Sequence, residues 1–179
     1  MSCRRVGALW VAVALLLGGT AARAAEPAAP ALGFTGLAEA ALMASPLTAD
    51  GTPCGLDLAR LGAAARQPLA NGGLGLRDDA PARVALSAVT IRVPGTEHCA
   101  TTVLFGVYAL ENFFSASAGW LSSGYVVVWQ RTLMVATPLA AHPAAVDRAV
   151  GRLAEQMLAA WREQNRPGQT MAEGSAGSR

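Results

Sequence analysis

Lysine is missing from this chain altogether, so every fixed positive charge among its 14 basic residues is an arginine. That absence removes Schiff-base chemistry, a catalytic ammonium and a phosphate-loop lysine in one step. Histidine is almost as scarce, with His98 and His142 alone. Spaced metal-ligand sets such as HExxH or repeated CxxC are absent. There is no GxSxG elbow around any serine. The glycine-rich run Asn71–Gly75 (NGGLG) is not a dinucleotide fingerprint, because no apolar strand leads into it. The chain carries no cofactor motif and no motif that names a family.

Basic patches are lacking as well. Arginines 60, 66, 77, 83, 92, 131, 148, 152, 162 and 166 are scattered among acids. Nucleic-acid binding normally shows a basic stripe or a strong positive charge, and neither is present, so no nucleic-acid partner is expected. A polybasic membrane patch is equally missing.

What is present begins with a leader. Arg4-Arg5 precedes an uncharged run from Val6 to Leu17, and Ala22-Arg23-Ala24 follows as a small-x-small cleavage site. This order is that of a secretory signal peptide over 1–24. Its apolar core of about 12 residues is short of the roughly 20 needed to cross a bilayer. Cys3 lies ahead of that core, so it cannot be a lipid-modified cysteine at the cleavage point. Arg4, Arg5 and Arg23 would leave with the leader, and the rest of the chain then holds one more acid than base. The expected location is the periplasm, with one domain over 33–165 and a flexible tail over 166–179, rich in small and polar residues.

Beyond the leader, cysteine occurs only at Cys54 and Cys99. An even pair in an oxidising compartment is expected to form a disulfide. Closing so long a loop contributes about 4 kcal/mol on the chain-entropy model. His98 adjoins Cys99, but neighbours on a strand point to opposite faces, which is poor geometry for a nucleophile and its base.

Periodicity predicts a helix over 56–66 limited by Pro68, from Leu58, Leu61, Ala65 and Leu69. It predicts strands over 83–93 and 99–109 joined by the turn PGTEH, and a third over 124–130 that RTLMVA extends or follows as a fourth. Val84, Leu86 and Ala88 alternate, while Val89, Ile91 and Val93 alternate out of phase, which suggests a β-bulge near Ala88-Val89. Residues 34–47 fit a strand or a short helix. A long amphipathic helix over 143–164 carries the stripe Val146, Val150, Leu153, Met157 and Trp161. The expected fold is α+β, a three- or four-stranded antiparallel sheet covered on one face by two helices, with one disulfide.

The candidate contact residues are the aromatics of the segment 108–125: Tyr108, Phe113, Phe114, Trp120 and Tyr125. A connection this long between strands is unusual unless it functions, and aromatics concentrate at recognition sites. Three readings fit: plain core on longer strands, contact with a partner protein, or a site for a lipid or small apolar ligand. The leading expectation is a non-enzymatic accessory protein that binds an envelope protein or membrane complex. The alternatives are a lipid or small apolar-ligand binder, and a small hydrolase using His98 or the Asp78-Asp79 pair.

Overall fold

The computed structural model describes residues 33–117 and 119–166. The leader over 1–24 and the tail beyond Arg166 lie outside the described residues. The elements are β1 (Glu39–Ala44), α1 (Leu58–Asn71), β2 (Gly75–Leu76), β3 (Arg83–Arg92), β4 (His98–Ser115), β5 (Trp120–Pro138) and α2 (His142–Gln164), with a 3-10 turn at Leu139–Ala141 before α2. One five-stranded sheet has the order β2-β1-β3-β4-β5. It is therefore larger than the three or four strands expected, and it is mixed: β1 runs parallel to both β2 and β3, whereas β3, β4 and β5 are antiparallel. Two facts concealed the extra strands. β1 reads EAALMA, rich in residues of low strand propensity, and β2 is a two-residue strand inside the glycine run. The parallel pairing of β1 with β2 is possible because α1 supplies the crossover.

α1 is longer than expected, because Pro68 lies within it rather than ending it. Asp57 caps its start, accepting a 2.7 Å hydrogen bond from the Arg60 N–H. Leu61, Ala65 and Leu69 are buried on one stripe, and the burial of Leu69, one residue past the proline, favours continuing the helix against the proline's lost hydrogen bond. α2 follows the expected stripe: Val146, Val150, Leu153 and Met157 are fully buried. Trp161 is half-buried, and its indole N–H donates to the Leu37 carbonyl at 2.6 Å. The last residues of α2 and its cap bind the approach to β1: Phe34 N–H donates to Gln164 Oε1 at 2.6 Å, and Asn165 Nδ2 donates to the Phe34 carbonyl at 2.9 Å. An ion pair between Arg60 and Asp147 joins the two helices.

Cys54 and Cys99 form the disulfide, with their Cα atoms 6.1 Å apart. It joins the turn before α1 to the start of β4, as the sequence suggested. Gly55 follows at φ 78°, and a Cβ there would stand 2.8 Å from the Pro143 ring. A glycine is thus required both by the backbone and by the close approach of α2.

The helices cover one face of the sheet. Val84, Leu86 and Ala88 on β3 and Val103, Phe105 and Val107 on β4 point into that core. Phe105 meets Trp129 of β5 edge to face, with centroids 6.4 Å apart. A polar chain also runs through this side. Thr90 Oγ1 lies 2.8 Å from Thr101 Oγ1, Thr101 Oγ1 lies 2.8 Å from His142 Nε2, and Thr137 Oγ1 lies 2.8 Å from His142 Nδ1.

Candidate functional site

Among the described residues, the opposite face of the sheet carries no helix. Its residues follow from strand alternation and from the antiparallel register, in which Ser87 faces Leu104, Val89 faces Thr102 and Ile91 faces Ala100, with Met134 opposite Thr102 on the far side. Val89, Ile91 and Met134 are 53%, 56% and 76% exposed. Across β3, β4 and β5 this face bears one fixed charge, Arg83.

The bulge expected at Ala88-Val89 does not occur there. β3 pairs with β4 without a break from Arg83 to Arg92. The two out-of-phase alternations are the two faces of one straight strand, both apolar. The register shift lies instead at Val107/Tyr108, where Trp129 and Val127 are the successive partners and Val128 is the additional residue on β5.

The segment 108–125 is not a loop. β4 continues to Ser115 and β5 begins at Trp120, joined by a short turn in which Gly119 has φ 74°. β3 reaches only as far as Tyr108 in the β4 register. Residues 109–115 and 120–126 therefore pair only with each other, as a two-stranded arm that extends past the rest of the sheet. The longer strands bring the aromatics into pairs but do not bury them. Phe114 is 65% exposed and faces Leu121, which is 74% exposed, on the bare-face side. Phe113 faces Ser122 and Trp120 faces Ser115 on the other side, and both aromatic rings remain exposed. Tyr108 and Tyr125 sit at the base of the arm, on the bare face. Exposed apolar side chains thus stand on β3, β4 and β5 of this face, interspersed with the uncharged polar side chains of Ser87, Thr102, Gln130 and Thr132. Exposed groups of large apolar side chains mark interaction sites.

The remaining sequence candidates are not brought together with one another: His98 falls at the end of the bare face, two residues before Ala100, and Asp79 lies in the turn before β3. His98 is exposed at the first position of β4. Asp79 pairs with Arg77 at 2.8 Å in the turn before β3. The Arg77 guanidinium is held above its ordinary pKa by that bond to Asp79 and by the nearby Glu39. No cluster of three or more potential metal ligands occurs among the described residues. His142, read from sequence as a helix entry, does begin α2, but it is fully buried with both ring nitrogens engaged by threonine hydroxyls. Burial holds its pKa below the ordinary histidine value. Sequence spacing gave no sign of this network, because its members come from β3, β4, β5 and α2.

Fold and face together define a two-layer α+β protein with one sheet face sealed by helices and the other left apolar. Among solved structures, the chain is similar to the PelC dodecamer from Paraburkholderia phytofirmans, with 14% identity, 70% of this chain and 89% of that chain covered, and a TM-score of 0.43. It is also similar to a minor lipoprotein from Acinetobacter baumannii, with 15% identity, 69% and 94% coverage, and a TM-score of 0.39. No protein-family model and no curated protein matches the chain. No role is carried from these likenesses to this chain.

Proposed function

We propose that this chain is a non-enzymatic periplasmic accessory protein that docks on another protein of the cell envelope through the bare face of its sheet and the adjoining arm. The observation that carries the reading is the contrast of the two sheet faces: apolar side chains from β3, β4 and β5 stand open on one of them, with a single fixed charge among them. Exposing a surface of this composition to water is unfavourable, and burying it against an apolar, weakly charged partner surface lowers the free energy. The leader and the disulfide support an exported location. β5 is also an edge strand, so a partner strand can add to it through main-chain hydrogen bonds.

The test is site-specific photo-crosslinking in the intact envelope. A photoreactive residue is placed at Ile91 or Phe114 on the proposed surface, and at Arg152 on the solvent side of α2. Adducts of one protein mass at the first two sites and none at Arg152 are the expected result. Equal labelling at all three positions, or none at Ile91 and Phe114, would overturn the reading.

A further inference from the structure

A cleft of about 420 Å³ opens on the bare face where the arm leaves the body of the sheet. Its hollow comes from small side chains. Ala85 of β3 lines the cleft and is directly paired with Gly106 of β4, over which the Tyr108 ring lies, so the open floor is at Ala85. Gly106 lets the Tyr108 ring fold back across it: a Cβ at position 106 would lie 3.0 Å from Cε2 of Tyr108, and the ring would have to give way. Tyr108 and Tyr125 bound the cleft on one side and Met43 and Pro46 on the other.

Arg83 is the only fixed charge on this face of β3, β4 and β5, and it stands at the rim of the cleft. Its guanidinium carbon rests over the Tyr125 ring, 4.1 Å from the centroid. Among the described residues, no carboxylate lies within ion-pair distance of it. Stacking on an aromatic ring positions a guanidinium while leaving N–H donors available for a further acceptor. The size of the cleft falls within the range of small-molecule sites, which pair an apolar lining with a few placed polar groups.

We propose that this cleft binds a small amphiphile carrying one carboxylate on an apolar chain. The carboxylate matches the planar fork of Arg83, which can donate two parallel hydrogen bonds to it. The chain lies along Ala85, Met43 and Pro46, where no charge has to be desolvated. One cation on an otherwise uncharged face selects a single negative charge, and it disfavours a cationic amphiphile of the same length. This binding stands independently of protein docking, since it needs only the base of the arm.

The test is a titration of the isotope-labelled full chain, after export, followed by nuclear magnetic resonance. The probes are sodium decanoate, decanol and decyltrimethylammonium, each below its micelle concentration. Decanoate is expected to shift the amides of Ala85, Gly106 and Tyr108 saturably, while decyltrimethylammonium leaves them unmoved. Arg83→Gln should weaken decanoate about tenfold or more, as loss of a hydrogen bond to a charged group does, with decanol affinity changed far less. Ala85→Leu, which fills the floor without changing charge, should remove binding of both probes. Equal shifts with the anionic and cationic probes would overturn the proposal. So would unchanged decanoate affinity in Arg83→Gln, saturable shifts centred on Val89 and Met134, or no saturable shift. None of these outcomes depends on the crosslinking result at Ile91 and Phe114, so the two readings fail separately.

Discussion

The two faces of β3 differ by one residue of phase and by everything that covers them. Val84, Leu86, Ala88 and Thr90 lie under the helices and are buried, whereas Val89 and Ile91 lie on the other side and are more than half exposed. Apart from Thr90 these side chains are apolar, so hydrophobicity alone does not say which face is core. Coverage decides, and coverage comes from α1 and α2. An antiparallel sheet with one solvated face normally reads apolar-in, polar-out. β3 breaks that rule toward its C-terminal end, and β4 and β5 break it through Leu104, Leu110, Met134 and the arm. This departure is the observation on which the docking proposal rests.

Removing bulk from each face in turn sharpens this comparison. On the covered face, Phe105→Ala removes a fully buried ring and its edge contact with Trp129. The expected loss is about 3–5 kcal/mol, the usual range for a buried aromatic, measured by denaturant unfolding. Nearly as large is the effect of cutting the tie between the layers. Cys54→Ser with Cys99→Ser should cost about 3–4 kcal/mol, since the loop between them is long. If the doubly substituted protein unfolds at the same denaturant concentration as the oxidised parent, the disulfide does not hold helix layer to sheet.

Parts of this arrangement were legible without coordinates. The stripe of α2 has the spacing of a single buried face, and helices of that length and amphipathy are hard to mistake. The disulfide was expected from two cysteines and the leader read from the sequence. β1 was legible only as one of two readings of 34–47, because an alanine-rich segment carries a weak strand signal, and β2 was not legible, because a glycine run carries none; both exist as strands through parallel pairing. The aromatic residues 108–125 were singled out as a candidate contact region and read as a loop. Ser, Gly and Ala between the aromatics read as loop composition, and only the pairing of Phe114 with Leu121 and of Phe113 with Ser122 shows an extended hairpin. Val89 and Ile91 were seen and misread: an apolar residue on each face looks the same in sequence as a bulge.

An intermediate effect comes from the polar seam of the covered face. His142 is buried and its pKa is lowered by desolvation. Above about pH 6.5 both folded and unfolded chains hold it neutral, and its contribution to stability is fully present. As pH falls below that value the unfolded chain binds a proton that the folded chain resists, so stability declines toward the lowered folded pKa. The facing groups are the hydroxyls of Thr101 and Thr137, with Thr90 behind them and no charged group hydrogen-bonded to the ring. His142→Gln should flatten this slope in unfolding midpoints taken from pH 7.5 to 5. An unchanged slope would mean that the proton uptake does not occur at His142.

The smallest change in stability is expected on the bare face, and it is the one that separates fold from function. Ile91→Ser and Met134→Ser each replace an exposed side chain that touches little of the core. Surface substitutions of this kind usually stay within about 0.5 kcal/mol. Two alternatives are at issue for such residues. If they serve folding, by shielding the sheet backbone or packing across strands, their removal should lower stability by as much as a cross-strand pair contributes, up to about 1 kcal/mol each, and the double variant should approach the sum of both. If they serve docking, the double variant should unfold within about 0.5 kcal/mol of the parent and lose the adduct formed at Phe114. A double variant that keeps the adduct while losing stability would make the apolar face a structural feature of the sheet, and the difference between its two sides would then be one of degree.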